Sequence, residues 1–198
     1  MNSISNNANP FQKFGEWLRI AEEAEIVDFS AMALATSGAN NAPNVRMVLL
    51  RGFDDAGFVF YTNYQSVKAS ELEANPQASL LFFWRTLGRQ IRISGSVAKV
   101  SRKESELYFS SRPRGSQLSA AASEQSKPIE SRQALVNKVS QVESDFEGKD
   151  IPCPNHWGGY RLKPTHFEFW ENGENRLHQR QTYTLDASQH WSNQLLQP

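Results

Sequence analysis

The sequence predicts a mainly β protein with flanking helices, an α+β fold in which antiparallel strands close into a barrel or a sandwich. Short runs of apolar and aromatic residues recur along most of the chain, and turn-forming residues separate them, as is typical of strands. Segments with helical periodicity are few. Many short antiparallel strands with few helices are typical of closed β architectures. Because 39% of the 198 residues are hydrophobic, the chain can form a core of ordinary size.

The helices follow from capping residues and apolar spacing. Residues 1–8 are rich in Asn and Ser and are predicted to be disordered, whereas residues 9–198 are predicted to form a single domain. Asn9 is typical of an N-cap and Pro10 of a first helical position, so we expect a helix from Pro10 to about Ile26. Three further helices are predicted: Ser66–Ala74 capped by Ser66, Ser101–Ser110 opened by an S-x-x-E capping box, and the amphipathic segment Ile129–Phe146.

Nine strands are predicted from runs rich in apolar and aromatic residues. They are Ala31–Thr36, Val45–Phe53, Gly57–Thr62, Ala78–Trp84, Arg89–Val100, Trp157–Leu162, His166–Trp170, Arg176–Leu185 and His190–Leu195. Asn172-Gly173 is predicted to form a hairpin turn between two of them.

The charge and the single cysteine argue against several classes of protein. Lys plus Arg equals Asp plus Glu, with 21 of each, whereas a nucleic-acid-binding domain has a basic excess. Cys153 has no second cysteine to pair with, so we expect no internal disulfide and a reducing, cytoplasmic location. The four histidines lack metal-ligand spacing, so no metal site is expected. The polar N-terminus lacks a signal peptide, and no apolar run approaches the roughly 18 residues of a membrane span.

Two polar segments could bind an anion. Arg46 and Arg51 bracket an apolar strand, and burying such groups is costly unless an anion pairs with them. Two solvated strand ends would have the same pattern. The segment from Tyr108 to Gln117 contains two arginines, several hydroxyls and a glycine at a helix end followed by a new helix start, which suits a phosphate. A solvated loop uses the same residue types, so both interpretations stay open.

A third polar segment contains Arg176, His178 and Arg180. In a strand these side chains would project to one face, because side chains alternate with period two. Their charges would repel one another unless something anionic or polar lies opposite. An exposed strand face, with His178 as a structural residue, is the alternative. The residues alone therefore indicate a small β-barrel protein with candidate anion sites.

Eight segments, in order along the chain, resemble the pyridoxine/pyridoxamine 5′-phosphate oxidase family. They are RMVLLRGF (46–53), GFVFYTN (57–63), NPQASLLFFW (75–84), RQIRISG (89–95), YFSSRPRGSQ (108–117), EQS (124–126), WGGYRL (157–162) and FEFWENGENRLHQR (167–180). The resemblance extends over nearly the whole chain from about Pro10 to Pro198. The fifth segment and the EFW…RLHQR ending are its most specific parts.

The resemblance implies a fold, a cofactor and a reaction. The fold would be an FMN-binding split β-barrel with Greek-key antiparallel strands, assembled as a homodimer with two flavins at the subunit interface. The enzyme would oxidise pyridoxamine or pyridoxine 5′-phosphate to pyridoxal 5′-phosphate, with oxygen as electron acceptor and hydrogen peroxide as product. This reaction belongs to vitamin B6 metabolism.

The resemblance also implies roles for individual residues. FMN contacts are implied for Arg46, Met47, Val48, Leu49, Leu50, Arg51, Tyr61, Thr62, Lys68, Gln90, Gln125, Ser126, Trp170 and Arg180. Contacts to the substrate phosphate are implied for Arg51, Tyr108, Arg112 and Ser116. Arg176 and His178 would lie over the pyridine ring as the catalytic residues.

The sequence departs from the family pattern at four places. Arg51 stands where the family usually has Lys, Val67 where an Arg usually helps to hold the FMN phosphate, and Gln179 within a usual RLHDR string. The chain starts close to Asn9, so we expect it to lack the longer N-terminal segment that in many members reaches over the substrate.

Two other functions fit the same resemblance. One is a related FMN oxidase acting on another aromatic substrate, such as those of phenazine biosynthesis; Tyr108, Arg112 and Ser116 favour a phosphorylated substrate instead. The other is a non-catalytic protein that binds flavin or pyridoxal phosphate, which Val67 and the short N-terminus leave open.

Overall fold

The computed structural model describes residues 9–198. The helices are α1 (Pro10–Glu23), α2 (Val67–Ala74), α3 (Arg102–Ser111), α4 (Arg114–Ala122) and α5 (Arg132–Asp145). The strands are β1 (Ala31–Ser37), β2 (Pro43–Leu49), β3 (Gly52–Asp54), β4 (Gly57–Asn63), β5 (Gln77–Trp84), β6 (Arg89–Lys99), β7 (Trp157–Glu171), β8 (Gln179–Leu185) and β9 (Trp191–Leu196). Among these described residues no helix is both long and apolar enough to cross a membrane.

All of these strands belong to one antiparallel sheet in the order β2-β1-β5-β6-β7-β4-β3, with β8 and β9 continuing from β7. The long strand β7 forks the sheet, because its first half pairs with β4, its second half pairs with β8, and β6 runs along its other edge. The sheet curls into a half-barrel around the core. The predicted mainly β, α+β fold is confirmed, whereas the single domain over residues 9–198 stays a prediction. The predicted disorder of residues 1–8 lies outside the described residues.

Two of the three predicted helix caps form as expected. The Asn9 side chain accepts a hydrogen bond from the N–H of Phe11 at 2.9 Å, and Ser101 Oγ accepts one from the N–H of Glu104 at 3.1 Å. Ser66 occupies the N-cap position of α2 without capping it; its hydroxyl donates instead to the carbonyl oxygen of Asn63 at 2.8 Å. The start of α2 therefore needs its hydrogen-bond acceptors from elsewhere.

The strand predicted as Val45–Phe53 is two strands, β2 and β3, with a break at Leu50 and Arg51. The N–H of Leu50 donates to Ser30 O at 2.8 Å, and the N–H of Arg51 donates to Val59 O at 2.9 Å. The chain thus changes partners here, from the β1 side of the sheet to β4. As a result the side chain of Leu50 is buried in the core and that of Arg51 is exposed.

The strand predicted as Arg176–Leu185 begins only at Gln179. Glu174–Arg176 forms a 3₁₀ turn in which Asn175 and Arg176 have φ of 52° and 64°. A positive φ cannot continue a strand, so the predicted alignment of Arg176, His178 and Arg180 along one strand face is wrong. Asn172-Gly173 is not a two-residue hairpin turn, because the connection between β7 and β8 spans residues 172–178.

Three other boundaries differ from the prediction. The segments predicted as Trp157–Leu162 and His166–Trp170 are one strand, β7. Helix α1 ends at Glu23 instead of Ile26, because Glu25 adopts a left-handed conformation with φ of 53°. Helix α5 is shorter than Ile129–Phe146 at both ends and starts at a cap, Ser131 Oγ, which accepts from the N–H of Ala134 at 3.0 Å.

The core has two parts. In the larger part α1 covers the barrel interior, where the ring of Phe14 lies 4.8 Å from that of Phe58 and 5.2 Å from that of Phe82, both edge to face. Such contacts fill the half-barrel with aromatic surface. The smaller part joins α3 and α4 to the start of β7 through Phe109, Leu118, Ile151 and Trp157. A cavity lies beside this smaller cluster.

Candidate functional site

A cavity lined by both polar and aromatic side chains has a volume of about 580 Å³, within the usual range for a small-molecule site. Strand β2, the end of β4, the start of α2, the end of α3 and one face of α4 supply its walls. The lining residues are Arg46, Met47, Val48, Leu49, Arg51, Tyr61, Thr62, Asn63, Lys68, Tyr108, Arg112, Ser116, Ser119, Ala120, Ser123, Gln125 and Trp157.

Lys68 is a buried cation in the wall of this cavity. Its Nζ donates to Gln125 Oε1 at 2.7 Å and to Thr62 Oγ1 at 3.2 Å, and no carboxylate pairs with it among residues 9–198. Burial, and secondarily the positive charge of Arg46, lowers the pKa of Lys68 to about 8. An anion in the cavity would relieve this penalty, because an opposite charge favours the ammonium form.

Arg46 lies next to Lys68 in the same wall, but a carboxylate already holds it. Its Nη2 is 3.0 Å from Glu71 Oε2, and its Nη1 donates to the hydroxyl of Thr36 and to Leu34 O at 3.3 Å. Asn44 Nδ2 donates to the second oxygen of Glu71 at 3.0 Å. These contacts fix the guanidinium between β1 and α2.

The segment Gln125-Ser126 closes the cavity near the start of α2. Ser126 adopts a left-handed conformation with φ of 73°, and its Oγ accepts a hydrogen bond from the N–H of Val67 at 3.3 Å. Ser126 thereby supplies the acceptor that Ser66 does not. The side chain of Val67 is 48% exposed and does not line the cavity.

An aromatic stack forms the opposite wall. The ring of Tyr61 is parallel to that of Tyr108 at 3.9 Å and to that of Trp157 at 5.4 Å between centroids. A Cβ at Gly159 would lie 2.8 Å from Tyr61 Cε1, so β7 can approach Tyr61 this closely only with glycine at that position. Burial raises the pKa of Tyr61 to about 12, so its hydroxyl stays protonated at neutral pH.

Arg112 extends this stack into the cavity. Its Cζ lies 4.7 Å from the ring centroid of Trp157 and 5.8 Å from that of Phe109. Its Nη1 is the one buried side-chain nitrogen or oxygen of the described residues that has no hydrogen-bond partner. Burial lowers the pKa of Arg112 from its usual range. A buried donor without an acceptor is costly, so the position favours an anionic ligand.

A second, smaller cavity of about 280 Å³ lies on the outer face of the sheet. Gln90 of β6 is the register partner of Trp170 of β7, which is the partner of Arg180 of β8, so their side chains form one row. Arg180 Nε donates to Glu168 Oε1 at 2.8 Å, and Arg92 pairs with the other carboxylate oxygen. Glu168 is 2% exposed.

Arg176 and His178 lie at the edge of this row, outside both cavities. The ring of His178 is 4.5 Å from that of Trp170, and its Nδ1 accepts a hydrogen bond from the N–H of Gly173 at 3.2 Å. This acceptor role leaves the ring proton on Nε2. Arg176 is exposed and makes no side-chain hydrogen bond within the described part of the chain.

The structure thus places most of the predicted site residues at one of the two cavities, with Leu50, Ser126 and Arg176 outside both. Twelve line the larger cavity: Arg46, Met47, Val48, Leu49, Arg51, Tyr61, Thr62, Lys68, Tyr108, Arg112, Ser116 and Gln125. Gln90, Trp170 and Arg180 line the smaller one, with His178 against Trp170. Leu50 points into the core, and Ser126 touches the start of α2.

Sequence reasoning missed five residues of the larger cavity. These are Asn63, Ser119, Ala120, Ser123 and Trp157. Ser119 and Ala120 follow Ser116 on α4 at spacings of three and four, and Ser123 is the C-cap of that helix, so a predicted helix starting near Arg114 would have placed them on one face. No sequence signal distinguishes Trp157 from a core tryptophan.

The outer face of the sheet also carries exposed apolar side chains. Val45 and Met47 of β2 and Phe83 of β5 are 65%, 64% and 58% exposed. Phe83 is the register partner of Gln90, so this apolar surface adjoins the row of the smaller cavity. Large exposed apolar surfaces mark interaction sites.

Two family models match the chain. One, described as pyridoxamine 5′-phosphate oxidase, matches residues 19–145. The other, described as the pyridoxine 5′-phosphate oxidase C-terminal dimerisation region, matches residues 157–198.

Curated relatives match over nearly the whole chain. Proteins named pyridoxine/pyridoxamine 5′-phosphate oxidase from Crocosphaera subtropica and Bordetella pertussis are 52% and 50% identical, over 89% and 96% of this chain and 83% and 90% of theirs. The protein of that name from Rubrobacter xylanophilus is 47% identical over 96% of this chain and 87% of its own.

Two solved structures share the fold. PhzG from Burkholderia lata, in complex with tetrahydrophenazine-1-carboxylic acid, has a TM-score of 0.92 at 31% identity, covering 98% of this chain and 95% of that one. A pyridoxamine 5′-phosphate oxidase-related, FMN binding protein from Nostoc punctiforme has a TM-score of 0.77 at 18% identity, covering 98% of this chain and 100% of that one. These likenesses confirm the predicted split-barrel fold.

Proposed function

The chain belongs to the pyridoxamine 5′-phosphate oxidase family, and from this membership we propose that it oxidises pyridoxamine 5′-phosphate or pyridoxine 5′-phosphate to pyridoxal 5′-phosphate. FMN is the cofactor, and oxygen is the terminal electron acceptor. The observation that carries the proposal is that two of the cations that line one cavity, Lys68 and Arg112, are removed from solvent at least in part and have no carboxylate partner among the described residues. An enzyme that binds FMN and a phosphorylated substrate needs two phosphate sites.

The Lys68 side of the cavity fits the FMN phosphate. Lys68, Arg46 and the hydroxyl of Thr62 converge near the start of α2, where the helix dipole favours negative charge. A cation whose pKa is lowered by burial gains most from a dianion. Ser126 and Gln125 would complete the set of polar contacts around the phosphate.

The Arg112 side fits the substrate phosphate. The unpaired Nη1 of Arg112 supplies a donor for a charge-assisted hydrogen bond, and Ser116 and Tyr108 line the same part of the cavity. Arg51, although exposed, lines the cavity from the strand break and adds positive charge. Its guanidinium replaces the usual lysine of the family with a planar donor pair.

Bound FMN would supply two-electron chemistry, namely acceptance of a hydride from C4′ of the substrate and reoxidation by oxygen to give hydrogen peroxide, and for the amine substrate water would release ammonia to leave the aldehyde. The residues of this chain would hold the substrate carbon against the flavin and exclude other orientations. Arg176 would lie against the pyridine ring, and His178 would donate a hydrogen bond from Nε2, since its Nδ1 is occupied by the N–H of Gly173. No strong general base is required for this arrangement.

The two cavities would be joined in a homodimer. Residues 157–198 match the family's dimerisation region, and Val45, Met47 and Phe83 expose apolar side chains on the outer face of the sheet. In our proposal a second copy covers this face, so that Gln90, Trp170 and Arg180 of one protomer complete the cavity of its partner. FMN would then lie at the interface.

The likeness to PhzG makes a phenazine-type substrate the alternative. The identity is 31% to PhzG but 47–52% to the curated oxidases. This difference in identity favours a phosphorylated B6 vitamer, whereas Arg112 Nη1 could pair with the carboxylate of a phenazine carboxylic acid as well as with a phosphate.

Oxygen consumption by the FMN-loaded protein tests the proposal. Pyridoxamine 5′-phosphate should drive oxygen uptake with equal formation of peroxide and pyridoxal 5′-phosphate, whereas unphosphorylated pyridoxamine should not at the same concentration. Mass spectrometry of the released cofactor and light scattering should identify FMN and a dimer. The proposal would be contradicted by a colourless monomer that takes up no FMN. It would also be contradicted by a flavoprotein that oxidises neither pyridoxamine 5′-phosphate nor pyridoxine 5′-phosphate.

A further inference from the structure

The arginines of the candidate site are held in two different ways. Arg46 is paired with the carboxylate of Glu71, and Arg180 with the carboxylate of Glu168. Arg112 has no such partner among residues 9–198; the rings of Trp157 and Phe109 hold its guanidinium instead. This difference matters because a carboxylate neutralises the charge that it positions, whereas an aromatic face positions a guanidinium without removing its charge.

Trp157 is itself fixed from several sides. It is 6% exposed, its ring is parallel to that of Tyr61, and the ring of Phe109 meets it edge on at 5.2 Å. Its backbone pairs with Asn63 of β4. Trp157 thus joins the rigid sheet to Arg112, which stands at the C-cap of α3.

We propose that Trp157 is a positioning residue for Arg112, holding the guanidinium on its indole face with Nη1 free so that the full cationic charge is available to the phosphate of the substrate. The proposal rests on the proposed function for the identity of the phosphate ester, whereas the unpaired Nη1 of Arg112 and its contact with Trp157 are features of the structure itself. Trp157 thereby sets the preference for phosphorylated over unphosphorylated substrates. It does so through Arg112 and not by touching the reacting carbon.

The variant Trp157→Leu removes the aromatic face and keeps an apolar side chain. Because a desolvated cation–π contact changes an equilibrium by roughly ten- to thirtyfold, we expect KM for pyridoxamine 5′-phosphate to rise about tenfold with kcat within about twofold of wild type. Trp157→Phe keeps a ring and should recover most of the loss. Ile151→Ala is the matched control, since Ile151 belongs to the same small core cluster and lies outside the cavity; it should lower the melting temperature and leave KM unchanged.

A double-mutant cycle with Arg112→Ala separates positioning from direct contact. If Trp157 acts through Arg112, Trp157→Leu should have no further effect on KM once Arg112 is alanine. Equal effects of Trp157→Leu in both backgrounds would overturn the proposal, as would a KM increase in Ile151→Ala as large as that in folded Trp157→Leu.

A binding measurement makes the result independent of turnover. Calorimetric titration of the FMN-loaded protein with inorganic phosphate should give weaker binding in Trp157→Leu and Arg112→Ala, and equal affinities in Arg112→Ala and the double variant. If the wild-type protein has no oxidase activity but binds phosphate as expected, the proposed function is rejected and the role of Trp157 in positioning Arg112 is retained. Wild-type phosphate affinity in Trp157→Leu would reject the role of Trp157.

Discussion

The buried ammonium of Lys68 should make FMN binding depend on pH in a way that can be calculated. Burial lowers the pKa of Lys68 to about 8 from 10.5. A bound phosphate dianion raises that pKa again, so above pH 8 the protein must take up a proton to bind FMN in this way. Because half of the ammonium is present at its pKa and about a tenth remains one unit above it, the FMN affinity should fall about fivefold from pH 8 to pH 9.

Two variants of Lys68 isolate this effect. Lys68→Met removes the charge, and since a hydrogen bond to a charged group contributes about 1.5–3 kcal/mol, the affinity at pH 7 should fall roughly ten- to thirtyfold after allowance for water in the open cavity. The FMN affinity of Lys68→Met should then be the same at pH 7 and at pH 9. Lys68→Arg keeps a charge that does not titrate in this range. Its FMN affinity should therefore also be independent of pH, but it should be higher than that of Lys68→Met.

The stability of the FMN-free protein should change with pH in the opposite direction to the FMN affinity. Between about pH 8 and 10.5 the unfolded chain holds a proton at Lys68 that the folded chain has released, so the free energy of unfolding should rise with pH in this window. At about 1.4 kcal/mol per pKa unit, this shift of the Lys68 pKa corresponds to at most about 3.5 kcal/mol. The access of water to the cavity reduces that figure to about 1–2 kcal/mol. Lys68→Met should be stabilised by that amount at pH 7.

Flavin fluorescence quenching on titration of the apoprotein measures the affinities, and denaturant unfolding measures the stabilities. A wild-type affinity for FMN that is constant from pH 7 to pH 9 would refute the role of the Lys68 ammonium. An equal decrease in Lys68→Arg and in wild type would refute it as well, because the titrating group would then be another residue.

Three further outcomes are expected. Val67→Arg should tighten FMN binding about tenfold by adding a charge-assisted contact at the start of α2, and the gain should shrink with salt; an unchanged dissociation constant in a quenching titration would mean that another residue already fills this role. Arg176→Ala should lower kcat/KM much more than it weakens FMN binding, whereas Arg112→Ala should chiefly raise KM; steady-state kinetics with normal values for Arg176→Ala would remove that residue from the site. Met47→Glu places a charge on an exposed apolar side chain of the outer sheet face and should yield monomers by light scattering that bind FMN weakly; an intact dimer would place the interface elsewhere.

The strands and helices were predictable where local signals agree with the tertiary environment. Asn9 and Ser101 cap helices as their residue types require, and the apolar strands of the half-barrel interior follow from alternation. The break at Leu50 was not predictable, because it depends on which strand the chain pairs with on either side. Hydrogen-bond partners distant in sequence decide such a boundary.

The site residues were predictable to a different degree. Arg46, Lys68 and Arg112 line one cavity as the resemblance implies, but the shared strand face of Arg176 and His178 was wrong since Asn175 and Arg176 turn the chain with positive φ. The motif ENGEN that precedes them contains Asn and Gly, which tolerate this conformation. The motif therefore favours a longer turn and a later start of the predicted strand. The support of Arg112 by Trp157 could not be inferred, because 45 positions separate the two in sequence.

The separation of the two cavities has a genetic consequence. With Lys68 in one cavity and Arg180 in the other, two inactive alleles that each damage one residue carry complementary defects. If the two cavities join across the homodimer as we propose, roughly half of the dimers in a cell that expresses both alleles are mixed, and each mixed dimer has one site built from the intact cavity of each subunit. Recessive loss-of-function alleles at these two positions would therefore complement each other to about a quarter of normal activity, whereas two alleles within the same cavity would not.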